Sequence, residues 1–316
     1  MAGFDQQQAG VLMTLASIAY ADSSGSLPKV RNAIMAELAK PHYATQGQWQ
    51  LVWGPVIEGE GDNLMYVARR DNQYAIVLRG TVGDLGSFWE DVPTGQVAFS
   101  YAGPEAKVSS HFDDALQALL KGADHESGQR LSVFLAQTLH ANSELFVTGH
   151  SQGGGLTPML VAWALSERTV WPQATQVNCQ GYAFAPPTSG NTDFARWIAA
   201  HAISYQVINP LDVVPCGYAA IDSVISKHIP DKVPFEYKLL IEGAADLAAD
   251  VGEWEQPQQQ VMLQKIQLPD SISYLHQVLD QHNHNSYQWL LGSPQTDIGD
   301  PSNLPEYAKT EAAITD

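Results

Sequence analysis

Cysteine is scarce in this chain. Only Cys179 and Cys216 occur in 316 residues, too few for a disulfide framework, and no metal-ligand spacing surrounds either one. Both are expected to be core thiols. Basic residues are scarce too: 16 Lys and Arg stand against 34 Asp and Glu, a formal net charge of -18. That balance disfavours nucleic acid and anionic membrane surfaces as partners. No apolar run reaches the roughly 20 residues needed to span a bilayer, and no internal repeat is evident. What is present is apolar content, 45% of residues, ample for one large globular domain or two smaller ones.

Residues 11–21 superficially resemble a signal peptide ending in a small-x-small site. Their flank argues otherwise, because Asp5, Gln6, Gln7 and Gln8 replace the positive segment that a leader requires. Val11, Leu15 and Ile18 instead fit an amphipathic first helix. This reading favours a cytoplasmic over a secreted location.

A second helix is expected over 28–39, then strands over 51–57 and 64–70. The turn Asp71-Asn72 leads into Tyr74-Ala75-Ile76-Val77-Leu78, a continuous apolar run suited to a central strand covered on both faces. Helical patterns follow over 113–121 and 129–140, a strand over 177–184, a helix over 192–202 and a strand over 203–208. Strands alternating with helices imply an α/β fold with a mostly parallel sheet and helices on both faces. Residues 219–269 break that rhythm with Pro230, Pro234, Pro257 and a glutamine-rich stretch, and read as an inserted cap or long excursion. The end, 293–316, is polar, acidic and proline-bearing, and reads as a loosely packed tail.

The most informative segment is Leu145-Phe146-Val147-Thr148-Gly149-His150-Ser151-Gln152-Gly153: an apolar strand, then Gly-x-Ser-x-Gly, then Leu156, Met159, Leu160 and Trp163 at helical spacing. This is the pattern of a nucleophile elbow, in which a strained turn presents the serine at a strand end and both glycines avoid collision with neighbouring backbone. Pro158, about two turns into that helix, should bend its axis. His150 should point away from the serine and serve packing.

A serine hydroxyl needs a histidine to take its proton and a carboxylate to orient that histidine. In the order Ser, acid, His, Asp212 is the acid expected, because it follows the strand 203–208 directly. Four histidines come later: His228, His276, His282 and His284. His276 lies in a helical pattern and His228 near the excursion, whereas His282 and His284 occupy a polar loop between two helical segments, where a base is commonly mounted. His282 is preferred, with His284 as the alternative. The oxyanion donors expected are the Gln152 N–H and Thr81, in the tight turn Leu78-Arg79-Gly80-Thr81-Val82 that ends an apolar strand.

Arg79-Gly80-Thr81, then Trp89 and Asp91, the pentapeptide 149–153, Ala185-Pro186-Pro187 and the segment 209–215 together resemble the class 3 (fungal-type) triacylglycerol lipases. The resemblance covers about residues 65–292. It implies a single α/β-hydrolase domain over 1–292, a serine carboxylester hydrolase acting through an acyl-enzyme, and a lid within 82–101. Phe88, Trp89, Val92, Val97, Phe99 and Tyr101 would cover an acyl groove there, unless they are ordinary core. The substrate implied is a small-molecule or lipid ester, with transient contact to a lipid interface; no cofactor or metal is implied. His282 matches many bacterial relatives, and the segment starting at His284 matches the fungal spacing. Two positions depart from the family pattern: Gln152 stands where leucine is usual, and His111-Phe112 where Gly-Phe is frequent. The alternatives are a phospholipase or feruloyl-type esterase on the same fold, or a silent lipase-like binding protein, which a missing triad member would signal; none is missing.

Overall fold

A computed structural model of the chain describes residues 3–23, 25–59, 63–80, 95–171, 173, 176–221, 223–224, 233–265, 268–269 and 271–299. Thr81, Phe88, Trp89, Asp91, Val92, His228 and the tail from 300 onward lie outside the described residues.

The strands are β1 (Gln50–Glu58), β2 (Asn63–Arg70), β3 (Gln73–Leu78), β4 (Gln96–Ala98), β5 (Lys107–Ser109), β6 (Glu144–His150), β7 (Asn178–Phe184), β8 (Ile203–Ile208) and β9 (Gln260–Met262). The helices are α1 (Gln6–Ile18), α2 (Leu27–Leu38), α3 (Ser110–Lys121), α4 (Leu131–Thr138), α5 (Gln152–Glu167), α6 (Thr192–His201), α7 (Phe235–Val251), α8 (Tyr274–His282) and α9 (His284–Leu290). Seven strands form one sheet in the order β1-β2-β3-β6-β7-β8-β9, while β4 and β5 pair apart from it. The pairings β1–β2 and β2–β3 are antiparallel, and from β3 onward each pairing is parallel.

The apolar run of β3 is continuous because both of its faces are covered. Tyr74, Ile76 and Leu78 share a core with Phe112, Leu116, Leu156 and Phe194 on one side. Ala75 and Val77 point the other way, into a core with Leu12, Leu15, Ile34 and Tyr287. A period of two along the strand thus feeds two separate layers of helices, and the site is built where the central strands end.

Four sequence expectations are corrected. Helix α1 is not amphipathic: every residue from Ala9 to Ile18 is buried, because the helix is enclosed by the sheet and α9, with Gln288 Nε2 donating to Thr14 Oγ1 at 3.1 Å. The stretch 219–269 is more than an excursion, since it contains α7 and then β9, which pairs with β8 as the edge of the main sheet. Residues 293–299 are not loose tail; Thr296 and Ile298 are buried, and the Thr296 N–H donates to Asn285 Oδ1 at 3.0 Å. Of the six large apolar residues assigned to a lid, Phe99 is 2% exposed and belongs to the core, Tyr101 packs against that core, and Val97 is exposed at 36%. Pro158 is accommodated inside α5, which continues to Glu167.

Candidate active site

The segment 149–153 turns from β6 into α5 with Ser151 at φ 61°, ψ -129°, a region that L residues avoid at a cost of about 1–3 kcal/mol. Neighbouring groups hold it there. The Ser151 N–H donates to the Phe184 carbonyl of the adjacent strand at 3.0 Å. A Cβ at Gly149 would lie 2.3 Å from the Gly153 carbonyl oxygen, and one at Gly153 would lie 2.4 Å from that of Leu78. Both glycines are therefore required by close backbone approach, as the elbow reading expects.

Asp212 sits in the turn after β8. The turn is shaped by Asn209, whose Oδ1 accepts from the Leu211 N–H at 3.1 Å and whose carbonyl accepts from the Asp212 N–H at 3.0 Å. The Asp212 side chain is fully buried and accepts hydrogen bonds on both oxygens. Its Oδ1 accepts from the Val214 N–H at 2.9 Å; its Oδ2 accepts from the Tyr287 hydroxyl at 2.8 Å and from His282 Nδ1 at 2.9 Å. The other ring nitrogen of His282, Nε2, lies 2.9 Å from Ser151 Oγ. Because a carboxylate only accepts, His282 Nδ1 carries the proton of the neutral ring, and the Nε2 lone pair is left aimed at the serine hydroxyl.

His284 is brought elsewhere. Its ring stacks on Tyr20, centroids 5.4 Å apart and planes 20° apart, and burial pulls its pKa down to about 4. The polar loop expected around these two histidines is in fact two helices meeting at Asn283: His282 ends α8 and His284 begins α9. His276 is exposed and close to Ser273 Oγ at 2.7 Å. His150 does more than pack, because one ring nitrogen reaches the His282 carbonyl and the other the Tyr20 hydroxyl.

Gln152, the first residue of α5, has its N–H in the first turn, where backbone amides point back along the axis and favour negative charge. The backbone ahead of Thr81 passes directly beneath the serine: a Cβ at Gly80 would lie 2.8 Å from that of Ser151. The two departures from the family pattern turn out to be neighbours, since Gln152 Nε2 is 3.0 Å from His111 Nε2. Sequence reasoning passed over Tyr287, Asn209 and Tyr20 as site components. Each acts through contacts across the fold, and none carries a local signature. Among the described residues no group of three His, Cys, Asp or Glu side chains is arranged to hold a metal ion, and no helix is long and apolar enough to cross a membrane.

The family described as Lipase (class 3) matches residues 75–219, a span that holds the elbow and Asp212. Over that span, a little under half of the chain, the sequence is similar to the class 3 lipases. It is accordingly a serine-type carboxylic ester hydrolase with the α/β-hydrolase fold. His282 lies beyond that span. The crystal structure of M37 lipase superposes on this lipase with a TM-score of 0.78 at 22% identity, covering 92% of this chain and 93% of that one. A lipase from Rhizopus microsporus var. chinensis gives 0.51 at 18% identity, over 67% and 68% of the two chains. A further fungal lipase gives 0.52 at 15% identity, over 84% and 81%. At these identities the likeness is one of fold. No curated protein sequence matches the chain.

Proposed function

We propose that this lipase cleaves carboxylic esters through an acyl-enzyme on Ser151, with His282 as the proton carrier and Asp212 as its partner. The reading is carried by one observation: the unbroken line Ser151 Oγ, His282 Nε2, His282 Nδ1, Asp212 Oδ2, with both hydrogen-bond distances at 2.9 Å. As Oγ attacks the ester carbonyl, its proton passes to His282 Nε2, and Asp212 stabilises the imidazolium formed. Negative charge on the tetrahedral oxygen is met by the Gln152 N–H and by Thr81, each such donor being worth roughly 3–4 kcal/mol in comparable sites. Collapse expels the alcohol, which takes the proton from Nε2. Water then repeats the sequence on the acyl group and frees Ser151.

For substrate, the proposal is medium-chain lipid esters, with triacylglycerols as the principal class and phospholipid or feruloyl esters as the competing ones. Phe88, Trp89 and Val92 support transient contact with a lipid surface, because a segment this rich in large apolar side chains gains roughly 25 cal/mol per Å² when it buries them. The test is hydrolysis of aryl esters of increasing acyl length and of triacylglycerol, phospholipid and feruloyl esters, run beside labelling by a serine-directed fluorophosphonate. Ser151→Ala should abolish labelling and lower turnover by about 10⁴-fold or more, and the rate should rise once substrate passes its solubility limit. Near-normal turnover in that variant would end the serine reading; activity on acetyl and butyryl esters alone, without the rise, would end the lipid one.

A further inference from the structure

A second line of hydrogen bonds runs behind the Ser151–His282–Asp212 line and shares no side chain with it. It starts at the Gly80 N–H, 3.2 Å from the Tyr20 hydroxyl. That hydroxyl lies 3.2 Å from His150 Nδ1, and His150 Nε2 lies 2.8 Å from the carbonyl oxygen of His282. The proton positions follow one from another. A carbonyl only accepts, so His150 Nε2 carries hydrogen; the neutral ring then offers Nδ1 as acceptor; the Tyr20 hydroxyl must donate to it and is left to accept from Gly80. Each of these links has one direction while His150 stays neutral; the His150 carbonyl oxygen, 3.5 Å from the Tyr20 hydroxyl, is a longer second acceptor for the same hydrogen.

His150 does stay neutral. Burial drives its pKa well below the ordinary range, and the neighbouring His282 and His284 act in the same direction. The Tyr20 hydroxyl is raised far above its usual value by burial and keeps its proton. Neutrality matters here because the His150 ring is centred 4.7 Å from that of His282, where a positive charge forms each time the serine gives up its proton. A permanent cation at His150 would oppose that charge, whereas a neutral ring that holds the backbone carbonyl does not.

We infer that Tyr20 and His150 are positioning residues for ester hydrolysis, tying the oxyanion turn at Gly80, the elbow and the backbone of His282 into one unit. The three pieces come from distant parts of the chain, and Tyr20 follows α1, well outside the family match at 75–219. Gly80 directly precedes Thr81 in the sequence, so the Tyr20 hydroxyl holds the backbone immediately ahead of the proposed oxyanion donor. His150 directly precedes Ser151, so its bond to the His282 carbonyl sets the spacing of nucleophile and base. Displacement by about 1 Å at such a site can cost about 100-fold in rate. The inference rests on the Ser151–His282 reading above, and it goes beyond it by assigning work to two side chains that touch no reacting atom.

The experiment is a cycle of Tyr20→Phe, His150→Gln and the double variant, with His150→Leu as a fourth protein. Turnover is expressed per active site counted by fluorophosphonate titration. Tyr20→Phe keeps the ring on His284 but cuts the link to His150; the Gln amide can still reach the His282 carbonyl but cuts the same link. We expect each to lower kcat about 10- to 100-fold with KM changed less than about two-fold, the double variant to be no worse than the poorer single, and His150→Leu, which cuts both links, to be lower still. Tyr20→Phe with kcat per site within two-fold of the parent overturns the inference. So does a loss confined to thermal stability or to the number of titratable sites, and so do effects of the two substitutions that multiply. Ser151→Ala is run in parallel: activity surviving there would sink the underlying reading, whereas an inert Ser151→Ala beside a normal Tyr20→Phe would sink only the relay.

Discussion

Replacing Asp212 by asparagine changes one atom's role in a fully buried pocket, and the consequences can be followed bond by bond. The carboxylate accepts from Val214 N–H on one oxygen and from Tyr287 and His282 on the other. Asparagine has one accepting end and one donating end. If its oxygen stays on Val214, its NH₂ faces Tyr287 and His282. Tyr287 can adapt, since a hydroxyl also accepts. His282 can adapt only by moving its proton from Nδ1 to Nε2, which points a hydrogen at Ser151 Oγ and leaves no base. If the amide turns over, its NH₂ meets the Val214 N–H instead, donor against donor in a buried site. The first arrangement costs less and destroys the base. The expected loss is about 10⁴-fold in kcat, equivalent to about 5.5 kcal/mol of barrier. Stability should fall by only about 1–3 kcal/mol, the range for a lost hydrogen bond to a charged group. Burst and steady-state kinetics on an aryl ester, with thermal melting as control, make the measurement. A folded Asp212→Asn protein that keeps more than about a tenth of parental turnover would refute the assignment of Asp212.

Two further outcomes follow from the same packing. Gly153→Ala places a Cβ 2.4 Å from the Leu78 carbonyl oxygen and 2.9 Å from the Arg79 carbonyl carbon, and backbone cannot swing aside as a side chain could, so it should destabilise by about 3 kcal/mol or more; a melt within about 2 °C of the parent contradicts this. His284 is held near pKa 4 against an ordinary 6.5, so the stability tied to its neutrality is complete above about pH 6.5 and is lost as pH falls toward 4, at most about 3 kcal/mol. His150 is shifted in the same direction, and the melting temperature should therefore drop through that window. His284→Phe, which keeps a ring against Tyr20, should flatten the slope, and an equal slope in both proteins would remove His284 as a cause.

The elbow was legible in the sequence because its causes are local. A strand of β-favouring apolar residues, two glycines where backbones touch and a helical apolar pattern all lie between residues 144 and 163, and their meaning does not depend on the rest of the chain. The alternation of strands and helices was legible for the same reason, as was Asp212, which a short turn ties to the end of β8. The enclosure of α1 was not. A helix that is apolar on several sides looks amphipathic when only its strongest stripe is counted, and what covers the other sides comes from α9 at the far end of the chain. The choice between His282 and His284 was not legible either. Two residues apart, they share a polar stretch, and the break at Asn283, with φ -57° and ψ 135°, sends one ring toward Ser151 and the other onto Tyr20.

Local sequence sets the chemistry on offer: a serine in a tight elbow, an acid just after a central strand and two histidines near the C-terminal end. Which groups meet is settled by the packing of distant elements. His282 bonds to partners 70 and 131 positions away, Tyr287 to a carboxylate 75 positions away and Tyr20 to an imidazole 130 positions away. Such contacts leave no periodicity to read, because each depends on how independent elements pack, and hydrogen-bond geometry tolerates only a few tenths of an ångström. The local pattern fixes what a residue can do; the packing of distant elements fixes whether it is placed to do it.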